Sequence, residues 1–478
     1  MKEFEVVIGL EVHAQVKTNS KIFCDCSTNF ESPENKNTCP VCTGMPGVLP
    51  VLNKKVVDYA LKASIALNCT INSYSQFARK NYFYPDLPKG YQISQYDQPL
   101  ASGGWLEVTH DGVHKKFRIH RLHLEEDAGK NIHHGEESYL DFNRAGVPLM
   151  EIVSEPDFRS PEEAVLYVKE LKNILQYLDV CDGNMEKGNL RCDANISLRP
   201  KGEKKFGDRT EVKNMNSFKF IERALYFEIE RQKEILVEGG RVVQETRQWD
   251  SAKGKTISMR SKEEAHDYRY FPEPDLRPLI IDSTWLNEAK SKIPELRREK
   301  KARFIKEFNL PEYDADILTD SKLLADYFES CESEVHDAKM VSNWMMTELL
   351  RELKDRDTDI DNCPVTFSHL AELLKLVKKG TISGKMAKDI FKEMYSSGHS
   401  PLKIVKEKNL TQLDDQGAIS EIVAEVLKKH PQELERYLKG QDKLYGFFVG
   451  QVMQVTMGKA SPEVVNKVLK DKLEGLKS

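Results

Sequence analysis

The pattern of apolar residues changes near residue 290, and this change constrains the fold more than any other feature. Before it, short segments alternate apolar and polar residues between Gly- and Pro-rich turns, as β-strands do; after it, charged amphipathic helices predominate. The segment Tyr270 to Pro278, YFPEPDLRP, holds three prolines and is predicted to be an extended connection. We therefore expect an α+β domain over residues 1–292, a helical domain over 293–405 and a C-terminal helical tail domain over 406–478.

Local signals support this division. A helix is predicted to begin after Ser160, where S-P-E-E precedes an apolar stripe at helical spacing. Residues 190–199 alternate completely between apolar and polar positions, and a second strand-like run follows. Ser217 is then predicted to cap a helix that stops at Gly239-Gly240, and Ser461 to cap the final helix of the chain. The order strand, strand, helix indicates helices packed on a sheet.

The composition excludes several classes of protein. The 478 residues are 31% charged and 40% hydrophobic with a net charge of -5, which indicates a globular protein without a basic coat for nucleic acid. The start, MKEFEVVIGLEVHAQV, lacks the apolar core of a signal peptide, and no run approaches membrane-spanning length. Most of the nine cysteines are scattered singly, as reduced thiols are. We expect a cytoplasmic protein with no membrane partner.

The stretch from His120 to His134, HRLHLEEDAGKNIHH, concentrates ionisable side chains around two leucines. If it is a strand, Glu126 shares the leucine face, and the opposite face is polar. Apolar residues just before His120 have the opposite parity, which predicts a β-bulge near His120 and Arg121. A solvated acidic loop is the alternative interpretation. The side chains predicted to share the polar face are those of Arg121, His123, Glu125 and Asp127.

A second group of residues has the character of a metal site. Glu11 and His13 project from one face of the predicted first strand, about 7 Å apart, which suits two ligands of one ion as well as two polar residues on a wet face. Glu151 lies in the apolar segment VPLMEIV, where an unpaired carboxylate would be unfavourable, and Asp193 and Glu211 lie on polar strand faces. One histidine with several carboxylates favours Mg²⁺ or Mn²⁺.

The sequence favours phosphate chemistry without a P-loop. No G-x-x-x-x-G-K-[ST] motif occurs, and GTISGKM from Gly380 has one residue too few between its glycines, so we interpret it as a loop before a helix. A nucleotide would be held by metal-bound phosphates and by separate basic residues. The candidates for that role are Arg191, Lys213, Arg247 and Arg260.

Four cysteines form a separate motif. They read C-x-C, then twelve residues, then C-P-x-C, which is typical of a tetrahedral Zn²⁺ knuckle; four reduced thiols without metal are the alternative. With four thiolate ligands the zinc would be structural. The predicted ligands are Cys24, Cys26, Cys39 and Cys42.

Longer segments are specific enough to indicate a family. They are VIGLEVHAQ, RKNYFYPDLPKGYQISQ, RLHLEEDAGK, NRAGVPLMEIVSEPD, GNLRCDANIS, DYRYFPEPDL and FFVGQVMQVTMGKASPEVVN. Over essentially its whole length the chain resembles the B subunit of the tRNA-dependent amidotransferase. Members of that family convert glutamate misloaded on the glutamine tRNA, or aspartate misloaded on the asparagine tRNA, into the amide, using ATP and glutamine.

The resemblance implies a division of labour among three subunits. This chain would bind the misacylated tRNA and phosphorylate the side-chain carboxylate, and ammonia would then displace phosphate from the acyl phosphate. The amidase (A) subunit, together with the small (C) subunit, would supply that ammonia through a channel. The resemblance also implies a cradle-shaped catalytic domain related to the glutamine synthetase fold, followed by a helical domain and a tail that binds tRNA.

Residue roles follow from the same resemblance. The metal-binding positions of the family match Glu11, His13, Glu125 and Glu151. Positions for a second, transient ion match Asp193 and Glu211, and these six residues together would be catalytic. Residues lining the ammonia channel match Lys80, Glu126 and Asp127.

Two other functions remain open from the residues alone. A noncatalytic tRNA-binding scaffold would use the acidic cluster to hold a structural ion. A metal-dependent phosphohydrolase would act without partners, but the lack of a self-contained nucleotide motif argues against it. Glu-tRNA and Asp-tRNA both remain candidate substrates.

Overall fold

A computed structural model describes residues 3–110, 113–135, 137–261, 268–408, 416–456 and 460–477. The chain forms two compact units, Met1–Arg297 and Arg298–Ser478. The first unit is rich in strands and the second is helical, which confirms the predicted α+β first part followed by helices. The first unit ends a few residues after the boundary predicted at residue 292.

Strands dominate the first unit. Their bounds are β1 (Phe4–Gln15), β2 (Thr70–Ile71), β3 (Tyr74–Ser75), β4 (Ala78–Asn81), β5 (Tyr91–Ser94), β6 (Ala101–Ser102), β7 (Trp105–His110), β8 (Val113–Glu126), β9 (Lys130–His134), β10 (Glu137–Asp141), β11 (Pro148–Ser154), β12 (Leu190–Pro200), β13 (Thr210–Lys213), β14 (Glu245–Asp250), β15 (Lys255–Ser261), β16 (Phe271–Pro272) and β17 (Leu279–Ile280).

One large sheet organises these strands. Within the described ranges it has ten strands, in the order β15-β14-β13-β12-β1-β11-β8-β6-β2, with β7 also pairing with β8. Neighbouring strands are antiparallel at the centre, whereas β13 and β14 are parallel. Three smaller sheets pair β9 with β10, β4 with β5 and β16, and β3 with β17. The longest strands, β1, β8 and β12, therefore lie close together in the middle.

Helices cover the apolar side of the large sheet. Strand β1 buries Leu10, Val12 and Ala14 at no more than 1% exposure in the same core as the helices. The predicted starts are confirmed, because the Ser160 and Ser217 hydroxyls accept hydrogen bonds from the first turns. Polar side chains of the central strands are left for the other side of the sheet. The helices are α1 (Lys54–Ala66), α2 (Pro161–Tyr177), α3 (Phe218–Val237) and α4 (Ser283–Ser291).

The predicted bulge is present in β8. Val153 of β11 pairs with Arg121, and the next residue, Ser154, pairs with Ile119, so His120 is the extra residue. As a result, Ile119 and Leu122 are both buried in the core although their parity differs. The bulge confirms the expectation drawn from the sequence.

The predicted extended connection is also confirmed. Phe271 pairs with Arg79 as part of the β4–β16 ladder. The Arg79 guanidinium donates to both carboxylate oxygens of Glu273, at 2.8 and 2.9 Å, and to Asp275 at 3.0 Å. Because Glu273 is buried, this ion pair fixes the connection to the sheet.

The described residues of the second unit form two separate apolar cores, one between Phe304 and Val405 and one between Ile419 and Leu473. In GTISGKM, Gly380 to Ser383 form a loop before a helix, as predicted, and Ser383 caps the helix that begins at Gly384. No helix among the described residues is long and apolar enough to cross a membrane. The helices are α5 (Arg297–Glu307), α6 (Glu312–Leu318), α7 (Lys322–Val335), α8 (Ala338–Trp344), α9 (Leu350–Asp355), α10 (Phe367–Lys378), α11 (Gly384–Ser397), α12 (Pro401–Glu407), α13 (Gln416–Lys429), α14 (Pro431–Leu438), α15 (Leu444–Val455) and α16 (Pro462–Lys477), with a π-helical turn at Met345–Leu349 and a 3-10 turn at Ile360–Asn362.

Candidate active site and metal centres

Strand register brings a row of polar residues together on the side of the large sheet opposite the buried leucines. His13 on β1 lies between Arg191 on β12 and Glu151 on β11, and Glu151 in turn pairs with His123 on β8. Because residues paired across a sheet point to the same face, these four side chains form one row over four strands. On β1, Glu11 and Gln15 lie two residues before and after His13 and continue the polar face.

Three members of this face form a compact cluster. The His13 Nε2 atom lies 3.3 Å from Glu151 Oε2 and 3.7 Å from Glu125 Oε1. One ligand atom from each residue lies within 4.8 Å of those of the other two. Glu125 and Glu151 are buried, so both carboxylates need a positive partner. This donor set of one imidazole and two carboxylates can hold a divalent cation.

His123 belongs to the same cluster, although it is not among the residues predicted to bind metal. Its Nε2 atom lies 3.4 Å from Glu151 Oε2 and 3.8 Å from Glu125 Oε2. Its Nδ1 atom is buried and has no hydrogen-bond partner within the described part of the chain. Strand parity places His123 on the face of Glu125, and this signal could have identified it.

The charges in this cluster depend on one another. Burial opposes a charged imidazole, but the hydrogen bond and charge of Glu151, together with Glu125, raise the pKa of His13 to about 9. Burial likewise opposes ionisation of the Glu151 carboxyl, but His123 and His13 hold its pKa well below the usual value. The pKa of Glu125 is also lowered, because its neighbours His123, His13 and Lys80 outweigh its burial. The cluster therefore holds carboxylates beside positive charge.

Lys80 lies next to these carboxylates. Burial opposes its charge, but Glu125 and Glu151 raise the pKa of Lys80 above the usual value. Its Nζ atom is 4.9 Å from the ring centroid of Tyr268 and 5.8 Å from that of Tyr82, so the ammonium lies among aromatic rings.

A second acidic group lies beside the first. Glu11 pairs with Asp193 across β1 and β12, and the Asn195 amide donates to Glu11 at 2.9 Å. Burial, together with Glu151 and Glu211, raises the pKa of Glu11. Lys213 Nζ contacts Asp193 at 2.7 Å and Glu211 at 2.9 Å. Lys213 thus lies between Asp193 and Glu211, the two carboxylates expected to hold a second ion. Glu11 is not part of the trio of His13, Glu125 and Glu151.

Asp127 and Arg191 form an ion pair at the other end of the row. Arg191 contacts the Asp127 carboxylate at 3.0 Å, and the Gln15 amide donates to the same oxygen at 3.0 Å. Burial opposes ionisation of the Asp127 carboxyl, but Arg191 and Arg144 lower its pKa. Arg191 therefore lies on the carboxylate face, as expected from strand alternation.

Arg247 requires a correction to the predicted grouping. The parallel register pairs it with Val212, which is buried on the helix side, so Arg247 points away from Glu211. Its guanidinium donates to Glu245 at 2.6 Å and to Thr256 at 2.8 Å, and it lies 3.7 Å from Glu228. Arg247 therefore supplies positive charge to the buried polar residues beneath α3. The backbone of Arg260 pairs with Thr246, while its side chain lies outside the described residues.

Glu126 faces away from Glu125, as predicted. Its carboxylate accepts from the Ile93 N–H at 2.9 Å and forms a close ion pair with Lys89. Glu126 and Lys89 line a cavity of about 190 Å³, which Cys24 and Cys42 also line. Lys80, which the resemblance groups with Glu126, therefore lies on the other face of this strand region.

The four cysteines converge as the spacing predicted. Their sulfur atoms lie within 4.8 Å of one another, and no ion-binding partner outside the quartet is needed to complete four ligands. The close thiol of Cys24, with the Cys39 N–H and the nearby Lys21, lowers the pKa of Cys42 to about 4. Lys21 Nζ lies 3.6 Å from the Cys42 sulfur, although this lysine is fully buried. Cys42 is thus favoured as a thiolate, the form that binds zinc. The hydrogen bond with Cys42 raises the pKa of Cys24, and burial raises the pKa of Cys26.

Comparison with known proteins identifies the class and then the family. Residues 6–287 match the GatB/GatE catalytic domain, and residues 326–473 match the GatB domain. The first match contains every residue of the two acidic groups. The chain is therefore of the class of catalytic subunits of the GatB/GatE type.

Relatives named as the B subunit of aspartyl/glutamyl-tRNA(Asn/Gln) amidotransferase are similar over nearly their whole length. The protein from Thermodesulfovibrio yellowstonii is 57% identical, over 98% of each chain. That from Carboxydothermus hydrogenoformans is 55% identical over 100% of each, and that from Persephonella marina is 56% identical over 99% of this chain and 100% of its own. The chain belongs to the B-subunit family of this amidotransferase.

Proposed function

We propose that this chain activates the side-chain carboxylate of Glu-tRNA(Gln), Asp-tRNA(Asn) or both with ATP, and converts it into the amide. A carboxylate oxygen would bond to the γ-phosphorus of ATP, and ADP would leave. Ammonia would then attack the acyl carbon, with loss of phosphate. The observation that supports this most is the trio of His13 with the buried Glu125 and Glu151 in a member of the amidotransferase family.

The trio fits Mg²⁺ or Mn²⁺. Its two buried carboxylates and one imidazole are hard or borderline donors, and they converge without a thiolate. When bound, such an ion would neutralise phosphate oxygens and polarise them for transfer. We assign His123 as a further member of this site, because it lies beside both carboxylates.

The other catalytic residues act around this trio. Glu11 is proposed to bind the same metal ion as the trio. Asp193 and Glu211 are proposed to hold a second ion transiently, after Lys213 moves from them to a phosphate. Arg191 is proposed to bind phosphate from the other end of the row. Arg247 is left out of the nucleotide site, since it supports the opposite side of the sheet.

Ammonia is proposed to arrive through the cavity beside Glu126 and Lys89. This ion pair would part to let ammonia pass. Lys80 would then stand at the end of the route, beside Glu125, rather than within the cavity. Asp127 adjoins Glu126 in sequence and is proposed to line the route with it, held in place by Arg191.

The four cysteines would hold a structural Zn²⁺ that fixes the wall of the same cavity. The first unit would form a cradle related to the glutamine synthetase fold, and residues 406–478 would bind tRNA. The partners would be the amidase (A) subunit and the small (C) subunit, in the cytoplasm.

Reconstitution tests the function. The chain mixed with both partner subunits, Glu-tRNA, ATP, Mg²⁺ and glutamine should form Gln-tRNA, detected by chromatography of the released amino acid. A scaffold role predicts instead that Glu125→Gln lowers stability but leaves ATP turnover intact. A solitary phosphohydrolase predicts ATP hydrolysis by the chain without tRNA or partners. Either result would reject the proposal.

A further inference from the structure

Lys21 is a charged residue with no exposed surface. Its Nζ atom donates to the Asn37 carbonyl at 2.7 Å and to the Phe142 carbonyl at 3.2 Å, and it lies 3.6 Å from the Cys42 sulfur. Among the described residues, its hydrogen-bond partners are thus two neutral carbonyls and one sulfur, without a carboxylate. The ammonium therefore needs negative charge from the sulfur.

The cysteine quartet can supply that charge. A buried cation without an anionic partner is unfavourable, and Cys42 provides one when it is a thiolate. The Cys42 sulfur lies within 4.8 Å of the other three sulfur atoms of the quartet. Four thiolates around one divalent zinc ion would leave two negative charges unbalanced. One buried ammonium beside the quartet would offset one of these charges.

The backbone holds Lys21 in place beside the quartet. The Lys21 N–H donates to the Cys26 carbonyl at 3.0 Å, and the Ile22 N–H donates to the Gly146 carbonyl at 3.0 Å. A Cβ atom built on Gly146 would lie 3.4 Å from both Lys21 Cδ and Cys42 Cβ. The stem of the lysine and the Cys42 side chain therefore meet at Gly146.

The two carbonyl partners of Lys21 belong to different segments. Asn37 lies in the loop between the two pairs of cysteines, and Phe142 lies in the turn that follows β10. The same segments are also joined without Lys21, because the Asn37 N–H donates to the Asn143 side chain at 2.7 Å. A neutral side chain with N–H groups could replace the hydrogen bonds of Lys21 to these carbonyls, but it could not replace the charge beside Cys42.

We propose that Lys21 is the buried counter-ion of the zinc centre, where its ammonium donates to the Cys42 thiolate and offsets part of the negative charge of the four sulfur ligands. The proposal rests on the zinc site proposed above and adds a positioning residue outside the quartet. Lys21 thereby strengthens zinc binding and weakens electron donation from the sulfur to the metal. A role limited to joining the two carbonyls predicts neither effect.

Two substitutions of Lys21, made in the full chain within the three-subunit enzyme, separate charge from hydrogen bonding. Lys21→Gln keeps N–H donors without the charge, and Lys21→Met keeps neither. We expect both to raise the Kd for zinc about tenfold or more, measured by competition with a chromophoric chelator. Lys36→Met is the matched control, because Lys36 is an exposed lysine in the same loop, and it should leave this Kd at the wild-type value.

Absorption spectra with Co²⁺ in place of Zn²⁺ report on the sulfur ligands directly. Positive charge beside a thiolate lowers the energy of its lone pairs, so the sulfur-to-cobalt charge-transfer band should move to longer wavelength in both Lys21 variants. The band should not move in Lys36→Met. Circular dichroism identifies a variant that does not fold; if Lys21→Met does not, the Kd and the band of Lys21→Gln decide.

Three results would overturn the proposal: an unchanged Kd for zinc in folded Lys21→Met, recovery of the wild-type Kd in Lys21→Gln, or an unmoved cobalt band. Recovery in Lys21→Gln would show that the hydrogen bonds to the carbonyls, and not the charge, hold the knuckle together. If the wild-type protein bound no zinc, the zinc site itself would be rejected, and the wild-type measurement reports this separately.

Discussion

Glu125 and Glu126 are adjacent in sequence but serve different surroundings. Glu125 points to His13 and Glu151, whereas Glu126 points to Lys89 and the cavity. We expect Glu125→Gln to lower amidation roughly a hundredfold with either nitrogen source, because it removes a charged donor from the trio. Glu126→Gln should mainly impair the use of glutamine and leave amidation with added ammonium chloride near the wild-type rate.

Parallel assays with glutamine and with ammonium chloride measure this difference. Aspartate would not be a matched replacement at either position, because it shortens the side chain as well. Equal losses of both activities in both variants would contradict the separation of roles.

We expect Arg247 to support stability rather than to bind nucleotide. It lies next to Glu228, a carboxylate with no exposed surface. Arg247→Met should reduce the free energy of unfolding by about 2 kcal/mol, because it removes the hydrogen bonds to Glu245 and Thr256. Arg231 stays bonded to Glu228, so that buried carboxylate keeps a positive partner. The KM for ATP should stay at the wild-type value.

Urea unfolding measures the first effect, and steady-state kinetics measures the second. Arg191→Met is the contrasting variant. Because Arg191 lies on the polar face, we expect its replacement to raise the KM for ATP. If Arg247→Met raised the KM for ATP and left stability unchanged, Arg247 would be assigned to the nucleotide site after all.

The alternation of side chains along a strand predicted some positions in the site but not others. Alternation within a strand sufficed to place Glu11 with His13, and Glu125 apart from Glu126. Arg247 could not be placed in this way, because its face depends on a parallel pairing with β13 that alternation within β14 does not specify. The position of Lys80 likewise depends on how β4 meets the large sheet, which is a tertiary property.

At the scale of elements, the cysteine knuckle and the cavity share a wall. Cys24 and Cys42 line the cavity together with Glu126. Removal of zinc by a chelator, or Cys39→Ser, should lower thermal stability first and impair glutamine-dependent amidation more than ammonium-dependent amidation. Metal analysis, thermal unfolding and the two assays together measure these effects.

Cys363→Ser is the control, since this cysteine lies outside the quartet and should leave metal content unchanged. A zinc-free protein with normal stability and normal use of glutamine would contradict the structural role. The helix caps at Ser160 and Ser217 were predictable because they depend on local sequence. The contact between knuckle and cavity was not, because it joins Cys24 and Cys42 to Glu126, which lies 102 and 84 positions further along the chain.

At the scale of the whole molecule, the two compact units contain separate apolar cores. We expect calorimetric unfolding of the full chain to show more than one transition, because separate cores can lose their packing independently. A fragment of residues 1–297 should fold and bind ATP with Mg²⁺, but should not support amidation of tRNA. A single two-state transition of the full chain would contradict this expectation.

The extra residue at His120 sets a limit on which changes of length this region can accept. It lets Ile119 and Leu122 both reach the core while Glu125 stays on the opposite face. Deleting His120 would remove the phase shift, so either the segment before it or the segment after it would turn over. Substitutions can accumulate along β8 one at a time, but the loss of one codon here would turn either the acids or the core residues to the wrong side.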